Sequence, residues 1–115
     1  MKSVAVKKNA SRRVRGSETG RPVMVLLDLL GRRVALRILW ELHLAAEPLT
    51  FRGLQAAAET NPSVLNSRLK ELRGAAIVEV VDDGYRLSPQ GRLLVQHFLP
   101  IHAWAEQWLR RRPAT

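Results

Sequence analysis

Apolar side chains recur along the chain in blocks whose period changes from helical to strand-like and back. Positions 23–30 are apolar apart from Asp28, and Gly31 follows as a C-cap; this predicts a first helix too apolar to face water. It must pack on the core, on a second subunit, or on both. A second helix is expected over 32–46, where Val34, Ile38, Trp40, Leu42 and Leu44 mix with Arg37 and Glu41, and Pro48 ends it. Thr50 is placed to cap a third helix over 51–59, with Phe51, Leu54 and Ala58 inward. Asn61-Pro62 then pairs an N-cap residue with a proline at the first helical position, where its missing N–H costs nothing. The fourth helix runs to about Gly74, with Leu65, Leu69 and Leu72 spaced i, i+4, i+7.

Beyond Gly74 the pattern shortens. The β-branched run 77–81 predicts a strand, Asp82-Asp83-Gly84 a hairpin turn using Asp-Gly for positive φ, and 85–87 the returning strand. Ser88-Pro89 repeats the cap-plus-proline device and opens a last helix to about Arg110. Leu93, Leu94, Phe98, Ile101, Trp104, Ala105 and Trp108 form its apolar strip, and Pro100 is expected to kink or split it.

Length and composition bound this picture. The 115 residues, 46% apolar, suit one domain over 21–110 with tails at 1–20 and 111–115. Residues 1–20 read as disordered and basic. Their acid-free start is also the composition of a mitochondrial presequence, but the apolar residues there form no helical stripe. No apolar run is long enough to span a bilayer. The absence of cysteine removes disulfides, thiolate catalysis and thiol sensing. The net charge of +9 is unevenly placed. Residues 1–21 carry seven basic side chains against Glu18 alone, residues 110–112 are three arginines, and 22–109 balances nine against nine. Such tails suit a polyanion.

The element order is that of a mainly α fold with a small β-hairpin, a winged helix-turn-helix. In that architecture the third helix braces and the fourth enters the DNA major groove, where base edges differ. The fourth helix suits the task. Ser63, Asn66, Ser67 and Lys70 lie at i, i+3, i+4, i+7 on its outer face. Asn pairs with adenine, Ser with several base edges, Lys with guanine or phosphate. Arg68 and Arg73 flank that face as phosphate contacts. Arg52 on the bracing helix and Arg86 at the wing base complete the expected DNA-contacting set. The acidic tip at Asp82 and Asp83 is repelled by phosphate, so the wing is a minor contributor. His43, His97 and His102 lack metal-ligand spacing and read as surface or interface residues. Trp104 and Trp108, at i, i+4, pack an interface or line a small-molecule pocket. Gly84 and Gly91 read as turn glycines rather than a phosphate loop. With no nucleophile–base pair, no metal site and no cofactor motif, a non-enzyme is expected.

The residues from about 21 to 109 resemble the HxlR-type winged-helix regulators of bacteria and archaea, a family similar to the MarR group. The resemblance rests on Pro22-Val23, on 26–31, and on the run Leu36-Arg37-Ile38-Leu39-Trp40-Glu41-Leu42. It continues with Leu49-Thr50-Phe51-Arg52-Gly53-Leu54, with Leu65 and Arg68-Leu69-Lys70-Glu71-Leu72, and with Ile77-Val78-Glu79 followed by Tyr85-Arg86-Leu87-Ser88-Pro89-Gln90-Gly91. It implies a homodimer whose first and last helices are dimerisation helices, with Val23, Leu26, Leu27, Leu30, Phe98, Ile101, Trp104 and Trp108 at the interface. It implies a cytoplasmic, nucleoid-associated repressor or activator bound to double-stranded DNA, with any small-molecule effector unspecified. Where members often carry a sensing cysteine, this chain has Arg21. The competing readings are a winged helix used for protein contact and a non-specific nucleic-acid binder acting through its tails.

Overall fold

The computed structural model describes residues 20–113. The basic segment before Gly20, with the expectations of disorder and targeting attached to it, lies outside the described residues, as do 114–115. Among the described residues, five helices and one hairpin follow in order: α1 (Pro22–Leu30), α2 (Ala35–Leu44), α3 (Phe51–Ala58), α4 (Pro62–Gly74), β1 (Val78–Val81), β2 (Gly84–Leu87) and α5 (Pro89–Arg111). The architecture is mainly helical with a two-stranded antiparallel sheet, compatible with a winged helix.

Local chemistry starts three of the helices. The Thr50 hydroxyl accepts the Gly53 N–H at 3.0 Å, and Asn61 Oδ1 accepts the Val64 N–H at 2.8 Å. Ser88 Oγ accepts the Gly91 N–H at 2.9 Å. Each bond satisfies a donor that the first turn leaves orphaned. α2 then supplies the centre: Ile38, Leu39 and Leu42 are buried, and α2 packs against α1, α3, α5 and β2. Leu54 and Ala58 from α3, Leu65, Leu69 and Leu72 from α4, Val78 and Leu87 from the hairpin and Val95 from α5 close around it.

Four expectations change. The second helix starts at Ala35, not Arg32, because residues 31–34 form a turn ending in Val34 with φ 72°. Gly84 is not the turn residue. Asp82 takes the positive φ, 49°, and Gly84 is the first residue of β2. Its need for glycine is space: a Cβ there would lie 3.0 Å from Pro48 Cβ and 3.2 Å from the Leu49 carbonyl oxygen. Gly91 lies inside the first turn of α5, where a Cβ would collide with the Ile77 carbonyl oxygen. Pro100 does not split α5, which is assigned as one helix of 23 residues through it.

The hairpin is bound to the body by its second strand, β2. β1 and β2 pair in the register Glu79↔Arg86 and Val80↔Tyr85. Tyr85 also exchanges backbone bonds with Leu49: Leu49 N–H donates to Tyr85 O at 3.0 Å and Tyr85 N–H to Leu49 O at 2.8 Å. The apolar link before α3 thus acts as a short third rung of the sheet.

Candidate nucleic-acid interface

α4 is anchored on one side and open on the other. Leu65, Leu69 and Leu72 are fully or almost fully buried, which fixes the helix's rotation about its own axis. That rotation leaves Ser63, Asn66, Lys70 and Arg73 exposed and Ser67 half-buried beside them. The expected outer face therefore exists as one surface. Lys70 and Arg73 on it, and Arg52 on α3, have no acidic partner among the described residues.

The other two cations of the expected set are already engaged. Arg68 is half-buried and turned away from the outer face, with its Nε 3.0 Å from Glu71 Oε1. Arg86 Nε donates to Glu79 Oε2 at 2.6 Å across the hairpin, a pairing set by the strand register. Glu71, the acid within α4, also meets Arg32 Nη1 at 3.1 Å. Arg32 Nη2 in turn donates to Asp28 Oδ2 at 2.9 Å. The hydrogen bond that Arg32 donates to Asp28, and secondarily the Glu71 charge, hold the guanidinium above its ordinary pKa despite partial burial. Periodicity reads Arg32 as the first residue of a helix and so misses it. The signal available was its i, i+4 spacing from Asp28. Arg37 is a second such link. It donates to Glu41 at 2.9 Å and to the Ala57 carbonyl at 2.7 Å, fastening α2 to the end of α3.

The expected dimer residues divide. Leu30 is 4% exposed and belongs to the chain's own core, with Leu26 and Phe98 packed against that core. Val23 and Leu27 on α1, and Ile101, Trp104 and Trp108 on α5, are roughly half exposed or more. Trp104 and Trp108 stack on each other at 5.9 Å with rings 9° apart, and Arg112 lies over Trp108. Trp104, Gln107, Trp108, Arg111, Arg112 and Pro113 border an open hollow there. His102 stacks on Trp40 at 4.9 Å and pins α5 to α2, while His43 lies against the same indole at 5.3 Å. Among the described residues no group of acids and histidines could hold a metal, and no helix is long and apolar enough to cross a membrane.

No family model matches the chain, and no curated protein matches it.

Proposed function

We propose that this chain is a homodimeric, sequence-specific DNA-binding regulator of transcription whose helix α4 enters the major groove. One observation carries the reading. α4 is locked to the core by Leu65, Leu69 and Leu72 while Ser63, Asn66, Lys70 and Arg73 stand exposed on its other side. A helix about 10–12 Å across fits a groove about 12 Å wide. There Asn66 can make two bonds to an adenine edge, Ser63 and Ser67 can bond several edges, and Lys70 reaches guanine or phosphate. Arg73 and Arg52 suit the backbone, while Arg86 and Arg68 reach it only by exchanging Glu79 and Glu71 for phosphate. The exposed acids at Asp82 and Asp83 keep the wing tip from entering a groove. Val23 and Leu27 of α1 with Ile101, Trp104 and Trp108 of α5 form the dimer surface. The resemblance to HxlR-type regulators supports the same reading, and with it a binding rather than catalytic role in the cytoplasm, at the nucleoid.

The test is enrichment of a random duplex library on the purified chain, followed by gel shifts of the enriched and a scrambled duplex. The enriched duplex is expected to bind at least about tenfold more tightly, within the usual gap between specific and non-specific binding. Asn66→Ala is expected to reduce that ratio by about tenfold, in line with the loss of one bidentate base contact. Lys70→Ala and Arg73→Ala are expected to weaken both duplexes alike and lower the salt slope by about 1 each. A chain that enriches no sequence, even at low salt, overturns the proposal.

A further inference from the structure

Four alternating charges join three elements. Asp28 of α1 accepts from Arg32 at 2.9 Å, Arg32 meets Glu71 of α4 at 3.1 Å, and Glu71 meets Arg68 at 3.0 Å. The side chains at its ends, Asp28 and Arg68, are only 11% and 18% exposed, so water screens them less than an ordinary surface pair, while Arg32 between them is 39% exposed. Arg32 stands in the turn 31–34, closed by the Ala35 N–H donating to the Arg32 carbonyl at 3.0 Å. The turn ends at Val34 with φ 72°, a conformation that a β-branched residue adopts only where its surroundings impose it. That strained form places one guanidinium between a carboxylate on α1 and a carboxylate on α4. It also neutralises the acid of a helix that would otherwise present it near phosphate.

We propose that Asp28, Arg32 and Glu71 are specificity-determining positions, fixing the pose of α4 against α1 without touching a base. This rests on the DNA reading above. Base contacts demand narrow geometry, whereas phosphate contacts tolerate displacement. A slackened α4 therefore loses preference before it loses affinity. Because α1 also carries exposed Val23 and Leu27, the ladder ties the dimer surface to the recognition helix, and so sets the register between the two recognition helices.

The test uses the full chain with Asp28→Asn, which removes the charge at the ladder's α1 end and leaves the outer face of α4 intact, and with Arg32→Met, which removes the middle rung. Both are read where circular dichroism reports a folded protein; should Arg32→Met fail to fold, Asp28→Asn decides alone. The ratio of enriched to scrambled binding is expected to fall about five- to tenfold, with scrambled affinity changing less than about twofold, the size of coupling usual for residues in one ion network. Without DNA, the α4 amides of Asp28→Asn are expected to exchange hydrogen several-fold faster than in the wild type. Unchanged exchange in α4, or an unchanged binding ratio in a folded variant, overturns the inference. If the wild type enriches no duplex, the DNA reading fails, and the exchange measurement still decides whether α1 and α4 are coupled.

Discussion

A methyl group at position 91 would run into the Ile77 carbonyl oxygen, where the start of α5 packs on the residue that leads into β1. Beside it, one hydroxyl does three jobs. Ser88 Oγ accepts the Gly91 N–H and lies within donating distance of the Ala76 and Ile77 carbonyls, at 2.7 and 3.1 Å. Gly91→Ala is expected to cost about 1–3 kcal/mol, the range for forcing an extra carbon into a packed site, measured by urea unfolding. The two residues differ in how far the sequence betrays them. Ser88-Pro89 is a local signal, since a cap and an N1 proline satisfy donors within one turn. Gly91 is not, because what forbids a side chain there is a carbonyl brought in by tertiary packing. Gly84 is misread for the same reason: Asp-Gly suggests turn conformation, but Pro48 and Leu49 supply the constraint.

Among the elements, α4 was the most legible. Its cap, its proline and its three leucines are all periodic or local features, and its bounds fall where they predict. Asn61→Ala should remove the bond to the Val64 N–H and cost about 1 kcal/mol in the same unfolding assay. α2 was less legible. Apolar spacing extends its pattern back to Arg32, but the ion pairs of Arg32 draw that residue into a turn and Val34 breaks the helix. Of the outer-face cations, spacing alone could not separate free from occupied. Lys70 and Arg68 are both basic and two residues apart, yet only Arg68 faces an acid.

Across the described residues, four arginines find acids within the fold while apolar area stays uncovered. Arg32, Arg37, Arg68 and Arg86 each meet an acid within the fold. By contrast Trp104 is 64% exposed and Trp108 49%, at the end of a helix whose anchoring ring contact is Trp40 on His102. Exposed indoles of this size are favoured at interfaces. In the proposed homodimer, Trp104→Ala or Trp108→Ala is expected to weaken self-association by about tenfold or more, on the scale of an interface hot spot, read by sedimentation equilibrium.

The chain has three tryptophans: Trp40 is half-buried, while Trp104 and Trp108 share the uncovered strip. Two of its three indoles therefore sit where solvent contact would change in the proposed homodimer. Emission should move to the blue as concentration rises through the association range and return to the red on dilution, while unfolding moves all three rings together. Such a shift would be a label-free optical gauge of the proposed assembly.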